Sequence, residues 1–500
     1  MLTAAPGGPL MPSVAFPDAA GPVRRQPCGP PRAAMPFNAL TFLLVALPLA
    51  LALQALCLAW RPAWHARLLA GLSLAYYGWW DLRALPLLLG AIAGTWLAGE
   101  AYRRSGDGRV ITLALVLDVA LLGLFKYLGF FAGLGAALTG AAVPVPLLLA
   151  PLGLSFLTFQ HVAYLVDLRR GTGPALGPTD YVLYAAFFPR VIAGPLVRPA
   201  AFAAAPPRPG AESAARGLLL LAAGLAKKAA LGDPLAAAID PLWAAAGAGL
   251  GPEAAAQAVL GYALQLYVDF SGYTDMALGL ALLFGIVLPE NFRAPYRATS
   301  IQDFWRRWHI TLSQFLRDYL YIPFGGSRHG LPRQAAALLA TMTLGGLWHG
   351  AGLTFVAWGA AHGAALALHV LWRRAGLALP PLAGWAATFA FVALAWVPFR
   401  APDFATALAV YRGLAGLAEP AAGLAAPAAG LAAPAAGPVP EAWPLAALAF
   451  ALAVIGPTAH DLAHRLPLSG RVAAATALLL AALLVQVGND ANQAFIYAQF

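Results

Sequence analysis

Long apolar runs recur through most of this chain and restrict what it can fold into. A helix needs roughly 17–25 apolar residues to cross a bilayer, and we count about eleven such runs between residues 38 and 487. Examples are ALTFLLVALPLALALQALCLAW (39–60), FVAWGAAHGAALALHVLW (355–372) and TALLLAALLVQV (476–487). Charged residues make up 10% of the chain, whereas soluble domains have roughly 25%. The sequence therefore predicts an all-α polytopic membrane protein.

Basic residues lie at the ends of the apolar runs, and their distribution predicts the orientation in the membrane. The formal net charge is +10. Basic side chains follow the first and third runs, at Arg61, Arg67, Arg103, Arg104 and Arg109. Because cytoplasmic loops carry the excess of Lys and Arg, the first span is predicted to start outside, with alternate loops in the cytoplasm. The charges are scattered rather than gathered into one patch, which argues against nucleic-acid binding.

Two segments differ in composition from the rest. Residues 1–34 are rich in Pro and Gly and cannot form a packed unit. We predict that this extension is disordered and dispensable, and that translation starts at Met35. Residues 418–444 contain the repeat GLAAPAAGLAAPAAG and are predicted to form a low-complexity loop between spans. The two cysteines are too few for a disulfide framework, and no Cys/His spacing typical of a metal site occurs.

Polar residues interrupt several apolar runs. In FKYLGFF (125–131), Lys126 is interpreted as a lysine that reaches toward the membrane interface. The stretch 150–170 carries polar side chains that either join helices or line an aqueous path, at Ser155, Thr158, Gln160, His161 and Asp167. Residues 264–285 place Asp269, Ser271, Thr274 and Asp275 in an apolar run, which suggests a packed or hydrated interior.

The run YVLYAAFFPRVIAGPLVR (181–198) contains Pro189, Gly194 and Pro195. These residues predict a broken or re-entrant segment. Such backbone occurs at membrane depth only where it is buried in protein or lines a cavity.

A long helix is predicted to begin at Ser300, where Asp303 completes a capping pattern, and to end at Pro323, Gly325 and Gly326. It carries an aromatic and apolar stripe at Trp305, Trp308, Leu312, Phe315 and Tyr319. A neighbouring polar stripe consists of Gln302, Arg306, His309, Ser313 and Arg317. An interfacial helix would show both stripes for structural reasons. The favoured interpretation is that the helix buries its aromatic face and presents Arg306 and His309 to an anionic ligand.

The stretch TLGGLWHGAGLTFVAWG (343–359) places His349 among five glycines in an apolar setting. A helix from Arg333 to Trp348 would advance about 24 Å, so His349 is expected to lie deep in the membrane. The glycines allow a kink or a close backbone contact. A buried ionisable residue is a functional candidate, and a neutral imidazole can act as a general base. We expect His362 and His369, seven residues apart on one helix, simply to pack.

These stretches resemble the membrane-bound O-acyltransferase family, in particular its bacterial alginate O-acetyltransferase branch. The resemblance extends from about residue 35 to residue 500. It rests on YYGWWD (76–81), FKYLGFF, LGLSFLTFQ, FFPRVIAGPLVR, VDFSGYTDMALGLALLFG, NFRAPYRATSIQDFWRRWHITLSQFLRDYLYIPFGG, GGLWHGA and FIYAQF. It implies a ring of transmembrane helices and re-entrant segments around a central funnel. It also implies that His349 and His309 are catalytic, and we assign substrate positioning to Arg306, Trp348 and Asp269.

The resemblance further implies acetyl-CoA from the cytoplasm as the donor, with no tightly bound cofactor and no metal. The acetyl group would cross the bacterial inner membrane to an exported polysaccharide, favoured to be alginate, with periplasmic acetyltransferase partners. Another exopolysaccharide or peptidoglycan is the alternative acceptor. From the residues alone, a transporter or flippase and a non-catalytic scaffold of an export complex also remain open.

The chain ends in FIYAQF, which contains Phe495, Tyr497 and Phe500. One interpretation is an aromatic anchor at the membrane interface. The motif is also similar to the C-terminal motif of the related D-alanine transfer systems, in which a tyrosine hydroxyl carries the acyl group. This resemblance implies that Tyr497 accepts acetyl, with His349 as the base, and passes it to a periplasmic partner.

Overall fold

The computed structural model describes residues 36–489, apart from 142–143, 147, 149, 205–208 and 418–436. The described residues are mostly helical and contain no β-strand, so the predicted all-α class is confirmed. Residues 1–34, most of the 418–444 loop and Tyr497 lie outside the described residues. The predictions for these segments stay predictions.

The first half of the described chain forms ten α-helices. They are α1 Leu47–Trp60, α2 His65–Trp80, α3 Leu85–Ser105, α4 Gly108–Leu122, α5 Leu128–Thr139, α6 Leu154–Arg169, α7 Pro178–Ala186, α8 Pro199–Ala204, α9 Ala211–Ala226 and α10 Asp233–Ala245. Three π-helical segments join or extend them, at Phe42–Ala46, Gly123–Tyr127 and Lys227–Gly232.

Ten further α-helices follow in the second half of the described chain. They are α11 Pro252–Leu283, α12 Ile301–Arg307, α13 Ile310–Leu316, α14 Gly330–His349, α15 Leu353–Arg374, α16 Pro381–Arg400, α17 Phe404–Leu414, α18 Ala442–Val454, α19 Ala459–Arg465 and α20 Gly470–Asn489. A fourth π-helical segment, Arg317–Tyr321, extends α13.

The predicted count of about eleven spans is not confirmed. In the described chain, five helical stretches are long and apolar enough to cross a membrane on their own, or six if the bent pair α18–α19 forms one span. Several runs seen in the sequence lie in shorter helices, such as the 16-residue α6 and α9. Others carry buried polar groups, as in α11.

Burial separates a lipid-facing surface from a central core. Large apolar side chains are exposed along the outer helices, including Leu49, Leu113, Leu117 and Leu478. In contrast, most of α11 is buried, and it packs closely against α9. Gly224 and Gly272 make that contact possible, because a Cβ at Gly224 would lie 2.5 Å from the carbonyl oxygen of Gly272. The centre of the bundle is therefore formed by α11 and the elements around it.

The segment 187–198 has no regular helix between α7 and α8, as predicted from its proline and glycine residues. Nearly all of it is buried, including Arg190, whose relative exposure is 0%. The guanidinium of Arg190 lies over the rings of Tyr184 and Phe202, at 4.8 and 5.4 Å from their centroids. The irregular backbone is thus enclosed by protein, as membrane depth requires.

The single helix predicted from Ser300 is wrong in one respect. The helix begins as expected, because the side chain of Ser300 accepts a hydrogen bond from the amide of Asp303. It then breaks between α12 and α13, where Trp308 is extended and His309 is left-handed, with φ 41°. The aromatic stripe is buried as predicted, but the polar stripe is divided: Arg306 is exposed and His309 is buried.

Candidate active site

His349 is the last residue of α14, and it lies at the turn of a tight helical hairpin with α15. Two glycines bring the helices together, since a Cβ at Gly346 would lie 2.2 Å from the carbonyl oxygen of Phe355 and one at Gly359 would lie 2.2 Å from that of Met342. Backbone contact of this kind excludes any larger residue. Of the two alternatives predicted for these glycines, the close backbone contact is therefore observed. α14 remains helical up to His349.

Aromatic rings surround the His349 imidazole, whose residue is 5% exposed. The ring centroids of Trp348, Trp358 and Phe399 lie 4.7, 5.1 and 5.2 Å from it. Trp348 in turn stacks on Phe159, with 4.9 Å between centroids. These rings hold the imidazole in a nearly enclosed apolar environment.

The carbonyl oxygens at the end of α14 are bound by side chains from the FKYLGFF motif. Lys126 Nζ donates to the carbonyl oxygens of Trp348, at 2.5 Å, and His349, at 3.4 Å. The hydroxyl of Tyr127 donates to the carbonyl oxygen of Leu347 at 3.0 Å. Lys126 therefore contacts the helix that carries His349, whereas the sequence interpretation placed it at the membrane interface.

His309 lies at the break between α12 and α13 and is fully buried, with 0% exposure. The segment around Asn291 binds the backbone at this break: the amide of Ile310 donates to the carbonyl oxygen of Asn291 at 2.9 Å. The side chain of Asn291 reaches the imidazole, with 3.1 Å between its Oδ1 and His309 Nδ1. A left-handed conformation is uncommon for a residue other than glycine, and such conformations cluster at functional sites.

The contacts of Asn291 decide which His309 nitrogen carries the proton. Asn291 Oδ1 accepts hydrogen bonds from the amide of Thr311 at 3.2 Å and from its hydroxyl at 2.9 Å. An acceptor oxygen faces Nδ1, so Nδ1 is the protonated nitrogen and Nε2 carries the lone pair. Among the described residues, Nε2 has no hydrogen-bond partner. His309 is thus held in the tautomer that accepts a proton or a hydrogen bond at Nε2.

The two predicted catalytic histidines are brought together. His309 and Lys126 both lie within electrostatic range of His349. A row of indole rings runs between the histidines: Trp308 lies 5.1 Å from Trp396, which stacks on Trp358 at 5.4 Å. Residues 40 positions apart in the sequence therefore share one aromatic chamber, as expected of a single site.

A third histidine, His362, joins this chamber although the sequence analysis expected it simply to pack. It is fully buried, its ring lies 4.9 Å from Trp358, and it is within electrostatic range of His349. Its Nδ1 accepts a hydrogen bond from Trp305 Nε1 at 3.3 Å, so its proton is on Nε2. The spacing of four between Trp358 and His362, one turn of α15, is the sequence signal that could have indicated it.

The three residues assigned to substrate positioning lie in different places. Trp348 contacts His349 and forms part of the chamber. Arg306 is exposed and lies near His369 instead of His309. Asp269 is buried and paired with Lys228 at 2.7 Å, and Lys228 also binds Asp233 at 2.7 Å. The charge that looked available in the sequence therefore lies in a buried ion-pair network. The acyl relay predicted for Tyr497 lies outside the described residues.

A narrow cavity lies beside the chamber. Its lining is formed by Phe159, Gln160, Ala163, Leu196, Val197, Arg198, Thr311, Gln314, Phe315 and Tyr319. Phe159 links it to Trp348, and Thr311 links it to the Asn291–His309 contact. The amide of Leu196, in the irregular segment, donates to the hydroxyl of Thr311 at 3.0 Å. The broken segment thus forms one wall of a cavity whose lining residues contact neighbours of both histidines.

Arg198, which lines this cavity, is one of three arginines that bind Asp318. Arg198 and Arg317 bind the carboxylate of Asp318, the latter at 2.7 Å. Arg170 donates to the carbonyl oxygen of Asp318 at 3.3 Å, and it lies over the Tyr319 ring at 5.5 Å from the centroid. We call these residues the arginine cluster. Its excess positive charge favours an anionic ligand.

The sequence model of the membrane-bound O-acyltransferase family matches residues 35–397. The chain belongs to the membrane-bound O-acyltransferase family. It is 38% identical over 387 residues to the peptidoglycan O-acetyltransferase of Helicobacter pylori, covering 69% of this chain and 72% of that protein. It is 37% identical over 400 residues to the probable alginate O-acetylase AlgI of Pseudomonas aeruginosa, covering 76% of this chain and 75% of that one.

A more distant relative is the teichoic acid D-alanyltransferase of Streptococcus thermophilus, 27% identical over 243 residues, or 45% of this chain and 57% of that protein. Membership of the membrane-bound O-acyltransferase family confirms that the chain is an O-acyltransferase and a multi-pass membrane protein. The names of the closer matches support acetyl as the transferred group. All residues of the aromatic chamber lie inside the matched range 35–397 except Phe399.

Proposed function

We propose that this membrane O-acetyltransferase takes acetyl from cytoplasmic acetyl-CoA and delivers it across the bacterial inner membrane to an exported polysaccharide, favoured to be alginate. The observation that carries the proposal is the shared chamber of His309 and His349 beside a cavity with an arginine cluster. A transporter path would need polar side chains along its length, whereas this chamber is lined mainly by aromatic rings.

The arginine cluster supports a donor that enters from the cytoplasm. Arg169, next to Arg170, donates to the hydroxyl of Thr112 in the first turns of α4, and α4 follows the basic loop with Arg103 and Arg104. A loop rich in arginine is cytoplasmic by the positive-inside rule. Coenzyme A carries phosphates that suit guanidinium groups and a thin pantetheine arm that suits a narrow cavity.

The proposed acetyl transfer needs a general base that removes the proton of the acceptor hydroxyl. In the proposed step, His349 takes the proton of an acceptor hydroxyl while the hydroxyl oxygen attacks the thioester carbonyl carbon. The C–O bond forms, the C–S bond breaks, and the thiolate of coenzyme A leaves with the proton returned by His349. Nε2 of His309 carries a lone pair, so it accepts a hydrogen bond from a different donor group of the bound substrates and helps to orient them. A positioned base contributes roughly 10²–10⁴ in rate.

Further proteins are needed to transfer the acetyl group to the polysaccharide, because the proposed polymer is exported and modified outside the cytoplasm. We propose that periplasmic acetyltransferase partners receive the acetyl group and place it on the polysaccharide. The donor is consumed in each turnover, so the mechanism needs no tightly bound cofactor.

Peptidoglycan is the second candidate acceptor, and the 38% identity to the Helicobacter pylori peptidoglycan O-acetyltransferase favours it. Alginate and peptidoglycan both present secondary or primary sugar hydroxyls, so the acyl-transfer chemistry is the same for either. The two candidates differ in the partner that carries acetyl onward and in the polymer that gains ester groups.

A complementation experiment tests the proposal and separates the two acceptors. The chain is expressed in cells that make alginate and peptidoglycan but lack their own O-acetyltransferases of this family, together with the periplasmic partners of each system. Ester-linked acetyl is then measured on both polymers. We expect acetyl on alginate. Acetyl on peptidoglycan alone would assign the second candidate, and a membrane-inserted protein that acetylates neither polymer would contradict the proposal.

A further inference from the structure

Lys126 lies deep within an apolar helical stretch and takes no part in the step proposed above. The stretch Gly108–Thr139 contains 32 residues, so Lys126 lies about 27 Å from its first residue and about 20 Å from its last. Lys126 therefore belongs to the middle of the stretch, and a cation within an apolar helical stretch is expected to have a partner inside the protein.

The side chain of Lys126 has its partners at the end of α14. Nζ donates to the carbonyl oxygens of Trp348 and His349, residues more than 220 positions away in the sequence. Nζ also lies 5.7 Å from the centroid of the Trp348 ring. The final carbonyl oxygens of a helix have no partner within the helix, and a cation there complements the negative end of the helix dipole. Lys126 thus binds the turn that carries His349.

The local backbone explains how this lysine reaches α14. Residues Gly123–Tyr127 form a π-helical segment between α4 and α5. The extra residue in a π-turn changes which side chains face a neighbour, and such turns are frequent at functional sites. Here the segment directs two consecutive polar side chains, Lys126 and Tyr127, to consecutive carbonyl oxygens of α14.

We propose that Lys126 is a positioning residue for catalysis: it holds the last turn of α14 so that the His349 imidazole meets the acceptor hydroxyl and the thioester. The inference rests on the proposed function, with His349 as the base. A shift of about 1 Å in a reacting group costs on the order of 10²-fold in rate. Removal of the cation therefore lowers kcat, while the acetyl-CoA site at the arginine cluster, on other elements, is unchanged.

The test compares Lys126→Met, Lys126→Arg and Tyr127→Phe with the wild-type enzyme in lipid nanodiscs. We expect Lys126→Met to lower kcat by about 10²-fold with KM for acetyl-CoA within about twofold. Lys126→Arg keeps the charge and the donors, so it should restore kcat to within about tenfold of wild type. Tyr127→Phe is the matched control: it removes one neutral hydrogen bond from the same helix end and should cost less than about threefold.

A second measurement is independent of the reaction. Hydrogen exchange of the amides in residues 345–352 should become faster in Lys126→Met, and the rest of α14 should exchange as before. Unchanged kcat in Lys126→Met overturns the inference, as does a folded Lys126→Arg enzyme without activity. If Lys126→Met does not fold, the activity of Lys126→Arg still tests the inference. If the wild-type protein consumes no acetyl-CoA, the proposed function is contradicted instead. The role of Lys126 is tested separately in that case: an unchanged amide hydrogen-exchange rate at residues 345–352 in Lys126→Met would overturn it.

Discussion

Asn291 Oδ1 lies 3.1 Å from Nδ1 of His309, and this contact holds His309 in the tautomer with its lone pair on Nε2. The same oxygen accepts hydrogen bonds from the amide and hydroxyl of Thr311, so its orientation is fixed from two sides. In the proposed mechanism, Asn291 therefore acts through the His309 imidazole, whose tautomer and orientation it sets.

Asn291→Ala should therefore lower kcat for acetyl transfer by about 10–100-fold, because the imidazole loses the group that orients it. KM for acetyl-CoA should stay the same, since the donor cavity does not include Asn291. Gln257→Ala is a suitable control, because Gln257 is a buried amide whose side-chain hydrogen bonds within the described residues go to the backbone of Val439. Steady-state kinetics of both variants check this. Full activity of Asn291→Ala alongside an inactive His309→Ala would show that Asn291 does not orient His309.

Asp269→Asn should weaken the fold rather than substrate binding. Asp269 is paired with Lys228 in the interior, and loss of one buried charge partner destabilises by about 1–3 kcal/mol when another partner, here Asp233, remains. Asp240→Asn removes a carboxylate that is 47% exposed from an ion pair with Arg400, and it should cost about 1 kcal/mol because the Asp240 side chain is partly solvated. Thermal unfolding in detergent measures both. A raised KM in Asp269→Asn with unchanged stability would instead support the substrate-positioning role predicted from the sequence.

Gly359→Ala should separate α14 from α15. Its Cβ would lie 2.2 Å from the carbonyl oxygen of Met342, so the helices must move apart at a cost of about 1–3 kcal/mol. His349 lies at the end of that contact, and activity should fall together with stability. Gly94→Ala is the control, because no atom lies within 4 Å of the added carbon. A Gly359→Ala protein with wild-type stability would mean that the two backbones are less close than described.

Tyr497→Phe separates the two interpretations of the C-terminal motif, which lies outside the described residues. The substitution keeps the ring and removes the hydroxyl oxygen. If Tyr497 carries acetyl, the polymer should lose its ester groups, because the phenol, with a pKa near 10, is the proposed carrier and leaving group. Polymer acetylation assayed in cells measures this, with Phe495→Leu as the control for ring packing. Normal acetylation by Tyr497→Phe would leave Tyr497 as an anchor only.

Features that depend on short stretches of sequence were predicted correctly. The apolar runs gave the fold class, the prolines near Arg190 gave the broken segment, and the glycines around His349 gave the close helix contact. The break at His309 could not be predicted from periodicity, because the left-handed conformation is stabilised by Asn291 and its neighbours, which lie on another segment. The number of spans stays a prediction, because an apolar run does not show whether it faces lipid or protein.

The roles of charged residues were harder to predict, since they depend on partners far away in the chain. Lys126 resembled an interfacial lysine, yet its partners lie 222 and 223 positions further along. Asp269 was assigned to substrate positioning, and its ion pair with Lys228, on another helical segment, could not be predicted from the sequence. His362 packs against aromatic rings, as expected, but the sequence did not show that α14 and α15 bring it to the same chamber as His349.

The central claim is that His349 is the base of an acetyl transfer from acetyl-CoA. The most direct measurement is the rate of coenzyme A release by the purified protein in nanodiscs with its periplasmic partner, for wild type, His349→Ala and the control His369→Ala, a partly exposed histidine on α15. We expect His349→Ala to lose about 10²–10⁴-fold in kcat, as removal of a general base does, with wild-type thermal stability and with His369→Ala fully active. Release of coenzyme A by folded His349→Ala at the wild-type rate would contradict the claim.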